Sequence, residues 1–214
     1  MLSIACACFF VYPIERENMD ISRPPSSSAK GIRVFLLLLC ALSLCIIFLA
    51  SPLAYAYNLE GYKWPDQPAP GSCCANLNIE IYNATYLSSA DKQGWINAYE
   101  AWNSSPAYVV FTSVTSSPLW VYENADGTVS YDGITYITYS GSTIQETQSY
   151  LNYAYTKNYS TGTIQGVAAH EIGHAIGLAH TSGCVLMTPY TSTRESCGII
   201  GPTQDDVRGV NALY

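Results

Sequence analysis

The chain has 214 residues and three histidines, and all three fall within one stretch of eleven residues, HEIGHAIGLAH, from His170 to His180. A spacing of four places His170 and His174 one turn apart on the same side of a helix, where both rings can point at one metal ion. His180 cannot join them on that helix. At 1.5 Å per residue it would stand about 15 Å beyond His170, whereas zinc–nitrogen bonds are about 2.0–2.1 Å long. The helix must therefore end and the chain turn back before His180. Gly177 is the residue that allows this, because glycine takes the left-handed conformation that terminates helices without a Cβ clash. Three neutral imidazoles leave one coordination position open for water, as in a catalytic rather than a closed structural zinc site. Zinc lowers the pKa of such a water to about 7. Glu171, adjacent to the first ligand, can take the proton from that water and deliver it to a leaving amine, so these parts predict hydrolysis of peptide bonds. A bare H-E-x-x-H arises by chance. Here the longer pattern H-E-x-x-H-x-x-G-x-x-H consumes every histidine in the chain.

Around this cluster, Ser160 to Gly177 carries Ile164, Val167, Ala168, Ile172, Ala175 and Ile176 at spacings near three and four, which predicts a helix with Thr161 and Thr163 as capping candidates. Ser88 to Asn103 reads as a second amphipathic helix, opened by Ser and Asp and carrying Trp95, Ala98, Tyr99 and Trp102 on its core face. Leu77–Tyr82 and Ile134–Ser140 alternate like half-buried strands, and Ala107–Val114 and Leu119–Glu123 read as buried ones. Ala125–Gly127 is a turn, Ser149–Tyr155 is a further strand or part of a loop, and Tyr57–Cys74 is an irregular, surface-hugging segment rich in Pro and Gly. Thr203 with Asp206 forms a capping box for a closing helix. This order of elements predicts an α+β fold in which a mixed sheet is layered with helices.

Upstream, Val34–Ala50 is an uncharged apolar run preceded by Lys30 and Arg33 and followed by Ala54 and Ala56 in a small-x-small pattern. It reads as a secretory signal cleaved after Ala56, with an uncleaved signal anchor as the alternative. Residues 1–56 are thus set apart as a tail plus signal, Met19 being a candidate start. Residues 57–214 form a single domain, expected outside the cytoplasm as a monomer. That domain holds five Lys and Arg against thirteen Asp and Glu with no basic cluster, which argues against nucleic acid or anionic lipid as partners.

Its four cysteines, Cys73, Cys74, Cys184 and Cys197, imply disulfides in an exported chain. Cys184 with Cys197 is favoured because it closes a short loop. Cys73 and Cys74 are then left as a vicinal pair or reduced, and the cross-pairings stay open. Asn83, Asn103 and Asn158 are glycosylation acceptors if the host is eukaryotic. Asp126, Asp132 and Glu146 are acids open to calcium, but lone acids beside glycine are usually turn formers, and no EF-hand spacing is present.

The extended histidine motif, followed by "CVLMTPY" with Met187 seven residues after His180, resembles the metzincin zinc endopeptidases and their methionine turn. Thr181 after the third histidine, Pro189 two after Met187, and the closing "PTQDDVRGVNALY" are similar to the matrixins, the matrix metalloproteases; adamalysins carry Asp and astacins Glu at the position of Thr181. "GYKWP" and "AWNSS" resemble the start of such domains and the end of their first helix. The resemblance implies a twisted, mostly parallel five-stranded sheet with one antiparallel edge strand and three helices. It also implies one catalytic zinc and an extended peptide or protein substrate bound beside the edge strand. Met187 would form a hydrophobic floor beneath the metal, and Pro189 and Tyr190 the wall of the pocket for the side chain after the cut, although Tyr190 comes one residue earlier than the usual matrixin tyrosine. With no spare histidine, the second, structural zinc of animal matrixins is not expected, nor is their cysteine-bearing propeptide or a haemopexin-like repeat. The pattern looks like a compact microbial member. The rival readings are a non-catalytic zinc-binding module at the cell surface and a metzincin of another family, such as the adamalysins.

Overall fold

The computed structural model describes residues 57–65, 75–81 and 87–214. The apolar run Val34–Ala50, Cys73, Cys74, Tyr82 and Asn83 lie outside the described residues. Strands β2 (Ala75–Ile81), β3 (Val109–Val114), β4 (Leu119–Asn124), β5 (Gly133–Ser140) and β6 (Thr143–Asn152) form one sheet in the order β3-β2-β4-β6-β5. Every pairing is parallel except that of β5, which lies antiparallel to β6 at one edge. A separate antiparallel pair joins β1 (Asn58–Leu59) to β7 (Leu178–Ala179). The sheet expected from the resemblance is therefore present.

Three helices carry most of the rest: α1 (Ser89–Asn103), α3 (Thr161–Ala175) and α5 (Gln204–Leu213). Two shorter ones, α2 (Tyr153–Thr156) and α4 (Thr191–Ser196), add to the three expected. Trp95, Ala98 and Trp102 recur at helical spacing on α1 and are fully buried. The Trp102 indole N–H donates to the Ala169 carbonyl at 3.0 Å, tying α1 to α3, and that of Trp95 donates to Tyr122 on β4 at 3.1 Å. Each fully buried large apolar side chain contributes about 1.5–3 kcal/mol, and a helix cap only about 1 kcal/mol. Packing of Ile164, Val167 and Ile172 into the core, rather than the cap, therefore holds α3 in place.

Local boundaries depart from the sequence reading in four places. The cap of α3 is Ser160, whose hydroxyl accepts from the Thr163 N–H at 3.1 Å. Thr161 is already helical, and only the residue outside the helix has the extended backbone that lets its oxygen fold over the first turn. Ser149–Tyr155 divides at Asn152, where β6 ends and the Asn side chain caps Ala154 at 3.1 Å to start α2. The described part of the leading segment, 57–65, is a strap rather than a surface coil. Trp64 within it is buried and donates to the Ala175 carbonyl at 2.8 Å. Finally, Asp206 does more than cap. Its carboxylate accepts from the Thr203 N–H and hydroxyl at 2.8 and 2.5 Å, and also from the backbone N–H groups of Leu186 and Met187 at 3.0 and 3.1 Å.

Asp91, in the first turn of α1, is buried beside Glu123 and accepts from the Thr156 hydroxyl at 2.8 Å. Burial pushes its carboxyl up to about 7, the Thr156 bond opposing the rise and Glu123 adding to it. Because the folded value lies above the ordinary 3.8, the stabilising effect of the proton is complete below about pH 4 and is lost as pH rises through 7. Asp91→Asn keeps the shape without the charge. It is expected to raise the stability above pH 7 by about 2 kcal/mol, the gain shrinking towards pH 4, as read from thermal melts across that range.

Candidate functional site

α3 ends at Ala175, and Gly177 follows with φ +98°, its N–H donating to the His174 carbonyl at 2.9 Å. The chain then reverses through β7 and brings His180 back to the helix. The Nε2 atoms of His170, His174 and His180 lie 3.1 Å apart in every pair. A tetrahedral zinc with bonds of 2.0–2.1 Å sets its ligand nitrogens about 3.3–3.4 Å apart, so the triad stands within about 0.3 Å of what that ion requires. The opposite ring nitrogens explain the orientation. His170 Nδ1 donates to the Leu186 carbonyl at 2.8 Å and His174 Nδ1 to the Leu178 carbonyl at 2.9 Å. A carbonyl only accepts, so these two rings carry their protons on Nδ1 and turn Nε2 lone pairs towards one another. Lone pairs converging at this distance need a cation between them. The donor set fits one zinc ion, and it is the one His/Cys/Asp/Glu cluster of metal-binding geometry among the described residues.

Electrostatics favour neutral ligands at two of the three positions. Burial pushes His170 well below its usual range, helped by the charges of His174 and Arg194. Burial and His174 lower His180 as well. At His174 burial also acts downward, but the Glu60 and Glu171 carboxylates and the Leu178 carbonyl outweigh it and leave a net rise.

Glu171 is buried beside this cluster, and burial raises its carboxyl above the ordinary value. The Thr135 hydroxyl, on β5, donates to Glu171 Oε2 at 2.7 Å and is itself 2.9 Å from the Ser149 hydroxyl on β6. Gly133 lets the edge strand come this close. A Cβ there would stand 2.6 Å from Glu171 Oε1.

The cluster opens on a cleft of about 520 Å³ whose lining includes β5 residues on one side and Pro189, Tyr190 and Arg194 on the other. Pro189 and Tyr190 are exposed there, Tyr190 at 70%. Met187 is buried behind the histidines. Its sulfur fills the space a side chain at Gly173 would take, and its carbonyl accepts from the Thr181 N–H at 3.0 Å. Cys184 and Cys197 form the favoured disulfide and enclose the segment carrying Met187, Pro189, Tyr190 and Arg194. Closing a loop of this length stabilises by about 3 kcal/mol in the chain-entropy picture.

The three histidines, Glu171, Met187, Pro189 and Tyr190 are thus brought to one place, with the Gly177 turn beside them. Three others there were not anticipated. Thr135 faces Glu171 across 36 positions, and only the inward side of the β5 alternation hinted at it. Arg194 is buried and donates to the Thr188 carbonyl at 2.7 Å and the Thr191 hydroxyl at 2.5 Å. Its Nη1 lies 3.2 Å from His170 Nδ1, a packing contact because both atoms carry protons. Glu60 reaches the cleft from the strap, with Oε1 3.5 Å from His174 Nδ1. No local pattern marks either Arg194 or Glu60.

A zinc-ligating helix, a glycine turn and a third histidine facing an edge strand define a metzincin-like site, and the matrixin family model matches residues 98–214. The chain belongs to the matrixin family, which sets aside the adamalysin-type alternative. It is 37% identical over 62 residues to the interstitial collagenase of Sus scrofa, covering 28% of this chain and 12% of that protein. It is 51% identical over 49 residues to matrix metalloproteinase-20 of Homo sapiens, covering 22% and 10%. Among solved structures, high choriolytic enzyme 1 of Oryzias latipes, a hatching enzyme zinc-protease, aligns over 71% of this chain and 94% of its own at 12% identity, with a TM-score of 0.46. The chain thus spans about an eighth of the length of the curated relatives it matches.

Proposed function

We propose that this protein is a secreted zinc endopeptidase that hydrolyses peptide bonds in extended polypeptides, acting as a monomer outside the cytoplasm. The observation that carries this reading is the buried Glu171 carboxylate, held by Thr135 beside three converging imidazoles and open to a cleft along the edge strand. His170, His174 and His180 hold the zinc, which when bound supplies a water of lowered pKa and polarises a carbonyl. Glu171 accepts a proton from the attacking water and returns it to the leaving nitrogen. Its burial raises its basicity for that first transfer. Thr135 keeps the carboxylate in one rotamer, so little reorientation is needed as the proton moves. The outer edge of β5, which no other strand pairs among the described residues, offers backbone groups to which an extended substrate can add as a further strand. Pro189 and Tyr190 wall the pocket for the side chain after the cut, and Met187 forms the floor behind the ligands.

The purified protein is expected to carry one zinc per chain and to cleave an unfolded protein. It should lose essentially all of that activity to a chelator and recover it when zinc is restored. Stoichiometric zinc without cleavage would support instead a non-catalytic zinc-binding module. N-terminal sequencing of the exported protein would distinguish cleavage after Ala56 from a retained anchor.

A further inference from the structure

The cleft holds three carboxylates, from Glu60, Asp132 and Glu171, and one guanidinium, from Arg194. Two of the acids are already engaged. Asp132 accepts from the Tyr159 hydroxyl at 3.0 Å and Glu171 from Thr135 at 2.7 Å. Arg194 is 2% exposed and committed to Thr188 and Thr191, so it offers an incoming side chain little charge. Glu60 differs from all of these. Its side chain is 31% exposed, and among the described residues its polar neighbours are the Tyr62 hydroxyl at 3.4 Å and His174 Nδ1 at 3.5 Å, both long for hydrogen bonds. His174 does not depend on it for orientation, because the Leu178 carbonyl takes that ring proton at 2.9 Å. Beside Glu60, the ring of Tyr62 stacks on Tyr139 of β5 with centroids 4.4 Å apart and planes at 20°. An accessible, poorly partnered carboxylate next to a flat aromatic surface suits a side chain with an apolar stem and a cationic head.

We propose that Glu60 and the Tyr62–Tyr139 stack form a subsite for a basic residue of the polypeptide substrate, Lys or Arg, within about four residues of the cut bond. The inference rests on the peptidase reading of the cleft and adds to it a substrate class. The strap fixes where the subsite lies. Lys63 bridges to Thr143 and Tyr62 covers Tyr139, so Glu60 stands towards the C-terminal end of β5, while Glu171 meets β5 at Gly133 and Thr135. Glu60 Oε1 stands 3.5 Å from His174 Nδ1 and Tyr139 lies four residues beyond Thr135; at about 3.3 Å per residue of extended chain this puts the subsite about two to four substrate residues from the catalytic carboxylate.

The test compares zinc-loaded protein on peptides that differ only by Lys or its uncharged counterpart norleucine at each position near the cut. One position is expected to show a kcat/KM advantage for Lys of about tenfold, the size of one partly buried charge-assisted hydrogen bond, and this advantage should fall as salt is raised. Glu60→Gln should reduce that ratio to about twofold or less, and Glu60→Lys should favour Glu over Lys at the same position. Absence of any such position in the wild type, or a ratio unmoved by Glu60→Gln, overturns the inference while leaving the peptidase reading intact. Zinc content is measured alongside. If Glu60→Gln loses zinc and all cleavage together, Glu60 is a brace for His174 rather than a subsite. If the zinc-loaded wild type cuts no peptide at all, the reading of the cleft falls and the subsite with it.

Discussion

Glu171→Gln is expected to leave one zinc bound per chain and the fold unchanged, while lowering kcat on a peptide substrate by roughly 10³-fold or more. Glutamine has nearly the same shape, and its amide oxygen can still accept from the Thr135 hydroxyl now 2.7 Å from Glu171 Oε2. Glu171 contributes no atom to the His170–His174–His180 cluster, so metal affinity should be nearly preserved. What disappears is the ability to hold a proton between its removal from water and its delivery to the leaving nitrogen. KM should change much less than kcat, since the cleft walls at Pro189 and Tyr190 are untouched. Turnover surviving at near wild-type level in a zinc-loaded Glu171→Gln protein would rule out the proposed role of this carboxylate.

Gly177→Ala is expected to destabilise the protein by about 3 kcal/mol or more and to weaken zinc binding. Two independent effects add at this position. The backbone sits at φ +98°, where an L side chain is strained by about 1–2 kcal/mol. A Cβ would also stand 2.4 Å from the Tyr62 carbonyl oxygen and 3.0 Å from Leu213 Cδ1. The Tyr62 carbonyl cannot retreat freely. The strap is fastened on both sides of Tyr62, by the Glu60 N–H donating to the Gly177 carbonyl at 2.9 Å and by the Lys63 N–H donating to the Ser142 carbonyl at 3.0 Å. Relief therefore comes from moving the turn, and His180 moves with it. Gly183→Ala separates the two effects. That residue has φ +106° but nothing within 4 Å of its would-be Cβ, so it should lose only the strain energy and keep its zinc. Equal losses in the two variants, by melting and zinc titration, would show that the Tyr62 contact is immaterial.

The elements around the site were legible where their cause is local. Periodicity near three and four located α1 and α3, and alternation located β5. The spacing of four put His170 and His174 on one face, and the metal–nitrogen distance demanded a turn that Gly177 makes. Boundaries were less secure because neighbouring hydroxyls compete for one role: Ser160, not Thr161 or Thr163, caps α3. Asp206 was recognised as a capping acid, yet its hold on Leu186 and Met187 was invisible, since those N–H groups lie 20 and 19 residues away.

By itself the sequence determined the histidine set, the neighbouring carboxylate and the need for a chain reversal between the second and third histidines. These follow from bond lengths and helical rise acting over a dozen residues. Only the tertiary structure decided what surrounds them. Thr135 meets Glu171 because the sheet places an edge strand against α3, Arg194 packs behind His170 because a disulfide-closed loop folds under the cluster, and Glu60 enters the cleft because the strap pairs with β7. Each of these contacts joins distant parts of the chain through packing and strand pairing, and no spacing in the sequence records it.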